Sequence, residues 1–278
     1  MIPCLKLLRL KQWAKNSFVL APLLFSGKFT DSAAFLNSLL AMVFFCVAAS
    51  ITYIFNDIRD LDEDRKHPVK SKTKPLAAGD ISKKKAIALL LILSCILSAM
   101  FTVPPVAYVV LAYLLLNVAY TLYLRHKPVL DIFTIATGFV LRVYAGAVAI
   151  NVPLSSWMFT TTLSLALFLA AIKRRQELVL NGTDGRGVLE HYTKELINRY
   201  AEMSATCTVM FYSLFVLSSS SEMILTIPFV LFGLFRYWFI VDCLDAGESP
   251  TEALYTDTQL QLTILGWTVA CLYALWPN

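Results

Sequence analysis

LNSLLAMVFFCVAASITYIF (Leu36–Phe55) runs directly into Asn56-Asp57-Ile58-Arg59-Asp60-Leu61-Asp62-Glu63-Asp64. An apolar run of this length crosses the ~30 Å hydrocarbon core of a bilayer as a helix. The acidic residues then stand at the mouth of a membrane span. At 100° per residue, Asp57, Asp60 and Asp64 fall within about 60° of one another on one helix face, and Asp62 points away. Three carboxylates on one face repel unless a cation sits between them. Mg²⁺ takes oxygen ligands and keeps positions open for phosphate oxygens. The competing reading is a solvated charged helix end, mixed with Arg59, Arg65 and Lys66. Placement at a membrane mouth favours function, because ionisable residues close to a span usually mark a site.

Outward from this stretch, the chain reads as an all-α membrane protein. Of its 278 residues, 58% are hydrophobic and 15% charged, against about 25% charged in a soluble domain. Nine apolar stretches are expected to span: 16–34, 36–55, 84–102, 105–124, 129–150, 154–172, 200–218, 223–241 and 259–277. Pro22, Gly27 and Lys28 interrupt the first. Long charged connections alternate with short, nearly uncharged ones. Lys28 is the only basic residue on the short-loop side, and Arg142 and Arg236 fall inside spans. The positive-inside rule therefore predicts a cytoplasmic N-terminus and cytoplasmic long loops. Nine spans would put the C-terminus outside, in a single polytopic domain over 1–278. The N-terminal basic stretch lacks a small-residue cleavage pattern, so no removable signal is expected. The six cysteines form no C-x-x-C pair and read as small buried hydrophobes. The three histidines are scattered, which argues against zinc, and no aromatic-interleaved basic patch suggests nucleic acid.

Further residues carry chemistry. Lys70 to Gly79 is a basic loop directly after the acid cluster, and its lysines could hold phosphate as point charges. Lys173-Arg174-Arg175-Gln176-Glu177 leaves the sixth span as a basic cluster, with Glu177 one turn from Lys173 and Arg174. Arg142 lies halfway along a span, where a guanidinium costs at least ~2.5 kcal/mol unless it faces a polar cavity. Asp131 is about 16 Å away along the axis, so a direct pair is not expected. Two readings of Arg142 stay open: contact with a substrate phosphate, or a structural pair with another helix. Arg236, nearer the cytoplasmic end, reads as snorkelling.

The pattern Asn-Asp-x-x-Asp-x-x-x-Asp, followed by Lys74-Pro75-Leu76 and Gly79, resembles the first signature of the UbiA superfamily of intramembrane prenyltransferases. Lys74 stands where that signature usually has arginine. Quinone-forming members carry a second acidic cluster after the sixth span, and here that place holds Lys173 to Glu177. The chain is more similar to the polyprenyl-phosphate (decaprenyl-type) phosphoribosyltransferase branch. Leu8 to Asn16, Tyr120 to Lys127 with Asp131, Leu141-Arg142 with Gly146, Lys173-Arg174-x-x-Glu177, Leu189-x-x-Tyr192, Arg236-Tyr237, Asp242, Gly247, Pro250 and Asp257 carry that likeness.

The resemblance implies a UbiA-like bundle with a cytoplasm-facing active-site cavity. It implies Mg²⁺-dependent transfer of 5-phosphoribose from phosphoribosyl diphosphate to a polyprenyl phosphate. Asp57, Asp60 and Asp64 would hold the metal with Asn56 in support, and Lys70 and Lys74 would help neutralise the leaving group. Lys173, Arg174 and Arg142 are candidates for the lipid phosphate or the ribose 5-phosphate. Lys15, Asn16, Tyr120, Arg125, Glu177 and Tyr192 are further substrate contacts. Membrane lipids surround the bundle, and a homo-oligomer is compatible with the sequence. One rival is an aromatic prenyltransferase using a prenyl diphosphate, which would need acids at the second site. The other is a transporter, which would show internal repeats and helices broken at the midplane.

Overall fold

The structure, a computed structural model, describes residues 3–182, 187–243 and 250–276. Gly247 lies outside them. Every regular element among the described residues is helical. In chain order these are α1 (Pro3–Leu8), a 3₁₀ segment (Leu10–Leu20), α2 (Ala21–Phe25), α3 (Ser32–Arg59), α4 (Leu61–Lys66) and α5 (Lys70–Thr73). There follow α6 (Lys83–Ser98), α7 (Pro104–Leu122), α8 (Leu130–Ala149), α9 (Ser156–Asn181), α10 (Lys194–Leu217), α11 (Ile227–Cys243), α12 (Pro250–Thr256) and α13 (Thr258–Ala274). Side chains cap several starts: Asp31 accepts from the Ala33 N–H, Thr193 from Leu196 and Asp257 from Leu260. Each cap satisfies a donor that the first turn leaves open.

Seven helical stretches are long and apolar enough to cross a membrane, from Ser32–Arg59 to Ser221–Cys243. Their outward faces carry large apolar side chains such as Leu36, Leu91, Tyr108, Leu115 and Phe235, which need a hydrocarbon solvent. The chain is an integral membrane protein. The expectation of one regular span over 16–34 is corrected. Pro22 and Gly27 (φ 69°) divide that stretch into 3₁₀ segment, α2 and turn. The stretch near the C-terminus forms the 17-residue helix α13. Of the cysteines, Cys46 and Cys271 are buried, whereas Cys4, Cys95 and Cys243 are exposed, against expectation.

Neighbouring helices pack in sequence, α7 on α8, α8 on α9 and α9 on α10, while α3 packs on α6, α7, α8 and the 3₁₀ segment. One apolar core lies among α3, α7 and α8 around Phe45, Val110, Tyr113 and Ala145. A second lies among α9, α10 and α11 around Phe168, Ile172, Ile197 and Ile240. The 3₁₀ segment reaches its place because α8 offers Gly146. A Cβ there would stand 1.9 Å from the Val19 carbonyl oxygen, a backbone atom that cannot yield alone. Small residues let helix backbones approach in this way. Gly146→Ala should cost about 1–3 kcal/mol by overpacking and displace the segment. Gly138→Ala, whose Cβ would meet its nearest neighbours at ordinary contact distance, should be nearly silent. Thermal unfolding of the two variants in detergent checks the contrast.

Candidate active site

The acid cluster lies where α3 ends. The helix stops at Arg59, Asp60 sits at the junction, and α4 restarts at Leu61. Asp57 and Asp64 turn inward and are buried, while Asp62 points outward with its side chain 91% exposed. Lys74 Nζ bridges the two inward carboxylates, 3.0 Å from Asp57 Oδ1 and 2.5 Å from Asp64 Oδ2. Arg9, at a left-handed residue that opens the 3₁₀ segment, donates to Asp57 Oδ1 at 2.7 Å. Asp60 faces away from that pair and accepts two bonds from Arg125, at 2.7 and 3.0 Å.

This corrects the reading of three carboxylates gathered on one cation. Among the described residues no three His, Cys, Asp or Glu side chains converge closely enough to share a metal. The physical reason is the break between Arg59 and Leu61, which lets Asp60 serve another partner. Cations do relieve the repulsion, but they belong to the chain: Lys74, Arg9 and Arg125. The donor set still suits a hard divalent ion. It is all oxygen, and two buried carboxylates already converge on one positive centre, the Lys74 ammonium. Asn56 accepts the Asp60 N–H through its backbone carbonyl. Lys70 opens α5, half-buried, beside this mouth.

A basic pole lies deeper. Arg142 is buried, and its Nε donates to Asn16 Oδ1 at 2.8 Å, Nη1 to the Gly138 carbonyl at 2.8 Å and Nη2 to the Tyr113 hydroxyl at 3.0 Å. The Tyr113, Phe139 and Phe45 rings surround the guanidinium. Among the described residues no carboxylate lies in salt-bridge range of it. Arg142 thus ties α7 and the 3₁₀ segment to α8 through Tyr113 and Asn16, which is the structural role. Asn16, fully buried, also donates to Cys46. Half-buried Lys15 feels the charges of Lys173, Arg142 and Arg9 together.

Arg174 departs from expectation. Its side chain has no exposed surface, so it is not placed to touch a phosphate. Nε donates to Asp131 Oδ2 at 2.6 Å, Nη1 to Glu177 Oε2 at 2.5 Å and Nη2 to the Tyr120 hydroxyl at 2.7 Å. Lys173 also faces Glu177, at 3.9 Å. Asp131 has no exposure either, and its Oδ1 accepts from the Tyr192 hydroxyl at 2.7 Å. Burial, reinforced by Asp131, pushes Tyr192 well above the usual phenol range, so it keeps its proton. Tyr120, Glu177 and Tyr192, expected at substrate, thus all converge on the Arg174–Asp131 pair.

Two participants were not among the expected site residues. Arg9 shares Asp57, and Asp131 organises the α8–α9 contact. Both stand in the quoted sequence likeness, and Asp131 carries its own signal as an ionisable residue within a span. Arg236 is not snorkelling: it forms a forked pair with Asp257, 2.6 Å at the closest. Arg175 pairs with Asp242. An apolar recess of about 500 Å³ lies between α11 and α13, lined by Phe229, Phe232 and Leu262.

Comparison with known proteins follows the same lines. The model of the UbiA prenyltransferase family matches residues 17–255. A decaprenyl-phosphate phosphoribosyltransferase of Mycolicibacterium smegmatis is 35% identical, covering 95% of this chain and 89% of the relative. Its namesake from Corynebacterium glutamicum is also 35% identical, over 98% of this chain and 86% of the relative. A solved UbiA homologue from Archaeoglobus fulgidus, bound to DMAPP and Mg²⁺, superposes with a TM-score of 0.73 at 19% identity, covering 98% of both chains. By matched signature, near-full-length relatives and shared fold, this chain belongs to the UbiA prenyltransferase family.

Proposed function

We propose that the chain transfers 5-phosphoribose from phosphoribosyl diphosphate to a polyprenyl phosphate, releasing diphosphate, with Mg²⁺ as cofactor. The relatives' names and their near-complete coverage support the chemistry. The observation on this chain that carries it is the pairing of two poles. Asp57 and Asp64 converge on a cation at the mouth, and Arg142 stands deeper without a carboxylate. A diphosphate chelated by a metal suits the first pole and a bare phosphate the second. A prenyl diphosphate clamped between two acidic clusters does not suit them. Asp131 and Glu177, the carboxylates at the start of α8 and the end of α9, both pair with Arg174.

Asp57 and Asp64 would hold the metal, with Asp60 and Asn56 adjacent. When bound, the ion neutralises charge developing on the diphosphate leaving group. Lys74 then passes from the carboxylates to a diphosphate oxygen, and Lys70 adds a second positive charge. The ribose C1–O bond breaks, the diphosphate departs with the electron pair, and a lipid phosphate oxygen bonds to C1 from the opposite face. That oxygen is already ionised at neutral pH, so no general base is required. Fixed charges stabilise the oxocarbenium-like centre without solvent reorganisation. Lys15, Lys173 and Arg142 orient the second phosphate.

The chain works as one domain of nine crossings, the expected stretches 16–34 and 259–277 completing the seven. Phe25 against Trp267 in α13 and Phe29 against Trp276 just past it pack these two together. The N-terminus and the mouth face the cytoplasm, where the basic loops lie, and the mouth opens into a cavity when substrate replaces its internal ion pairs. The test is purified protein with labelled phosphoribosyl diphosphate and a polyprenyl phosphate, with and without Mg²⁺. A labelled lipid formed only with Mg²⁺ is expected; prenylation of an aromatic acid instead would overturn the reading. Lys15→Met should raise the KM for a phosphorylated substrate by roughly tenfold to a hundredfold, the size of a charge-assisted bond, with kcat less affected.

A further inference from the structure

Between α7 and α8 the chain turns a corner that local sequence does not favour. Val129 holds φ 68° and ψ −47°, and the Leu130 N–H donates to the Pro128 carbonyl at 2.8 Å. This is a γ-turn with positive φ, a strained conformation, centred on a β-branched residue for which positive φ is a genuine outlier. Such conformations persist only where surroundings over-determine them, and they cluster at functional sites.

The surroundings here are specific. The Val129 N–H donates to the Tyr192 hydroxyl at 2.6 Å, and that hydroxyl donates onward to Asp131. Asp131 is fixed by the fully buried Arg174. The loop before α10 and the end of α9 thus hold one strained peptide from the far side. Four residues before Val129, on the same corner, Arg125 forms its forked pair with Asp60 at the mouth.

We propose that Tyr192 is a positioning residue: by pinning the γ-turn at Val129 it sets Arg125 against Asp60 and so orients the diphosphate pole from across the bundle. This rests on the reaction proposed above for its kinetic consequence, but not for the corner's mechanics. Tyr192→Phe keeps the ring and removes both hydroxyl bonds. Glycine adopts positive φ about as readily as negative φ, so Val129→Gly in the Tyr192→Phe background lets the turn form unpinned.

The experiment compares the wild-type protein, Y192F and Y192F/V129G, each purified at full length in detergent. Hydrogen exchange over residues 124–131 without substrate reads the corner, and KM for phosphoribosyl diphosphate reads its effect. Y192F should lose protection at the corner and raise that KM about tenfold, the size of one lost orienting hydrogen bond. The double variant should recover much of both. Lost protection with KM unchanged, or a double variant worse than Y192F, overturns the proposal. Should the wild-type protein transfer no phosphoribosyl group, the reaction assignment fails instead. The corner is then judged by a thermal-stability cycle of Arg125→Met and Asp60→Asn. Coupling present in the wild-type background and absent with Y192F supports the proposal; equal coupling in both overturns it.

Discussion

Asp57→Asn lowers phosphoribosyl transfer by about a thousandfold, the upper range for removing one preorganised electrostatic group, while the protein still folds. Asp57 is 2% exposed and receives both Arg9 and Lys74, so the amide removes the charge on which two elements converge. With that charge gone, Arg9 and Lys74 stand close together with Asp64 alone to balance them, and a bound Mg²⁺ would lose one of the two carboxylates proposed to hold it. The fold survives because the asparagine is isosteric and can still accept one hydrogen bond. Asp62→Asn is the control: its side chain is 91% exposed and, among the described residues, its ion pair is with Arg65, at 3.9 Å. Such surface pairs contribute about 0–1 kcal/mol, so turnover should stay within about twofold. Initial rates across a Mg²⁺ titration, with unfolding midpoints for each variant, check the pair. Near-normal rates in Asp57→Asn would remove this carboxylate from the metal pole.

The contrast between Asp57 and Asp62 was legible in the sequence, because it depends on helical phase alone. The seven regular spans were legible for a similar reason, apolar length. Other features depend on contacts between distant segments and carry no local signature. Helical phase placed Asp60 beside Asp57 and Asp64, but a partner 65 residues away, Arg125, fixes it elsewhere once the helix breaks. The stretch 16–34 reads as apolar, yet the 3₁₀ segment that forms its first part is held by its fit against Gly146 and by Arg142 gripping Asn16. Lys173 to Glu177 shows as a basic cluster in one dimension. In three dimensions Asp131 approaches from α8 and turns its most central cation, Arg174, into a structural one. The strained turn at Val129 is invisible in Lys127-Pro128-Val129, because its cause is a tyrosine hydroxyl more than sixty residues away.

Arg174→Met should cost about 3–5 kcal/mol of stability, the range for removing one partner of a buried ion pair. The guanidinium satisfies two carboxylates and a phenol at once, at 2.6, 2.5 and 2.7 Å. Methionine fills similar volume but leaves Asp131 and Glu177 with one internal cation fewer between them. Asp131 has no access to water, so it must take up a proton or draw water into the α8–α9 contact. Arg174→Lys keeps the charge but lacks the planar fork that meets several acceptors, and should fall between wild type and Arg174→Met. The double variant Arg174→Met/Asp131→Leu separates charge from packing. If the penalty is the stranded carboxylate, replacing it with an apolar side chain should recover much of the lost midpoint, since buried pairs are often exchangeable for hydrophobic ones. Activity should not recover with it, because the Tyr192 hydroxyl still accepts from the Val129 N–H but loses Asp131 as the acceptor for its own proton, and the corner that carries Arg125 is released. Restored stability with turnover still impaired would separate what this buried pair does for the fold from what it does for the mouth.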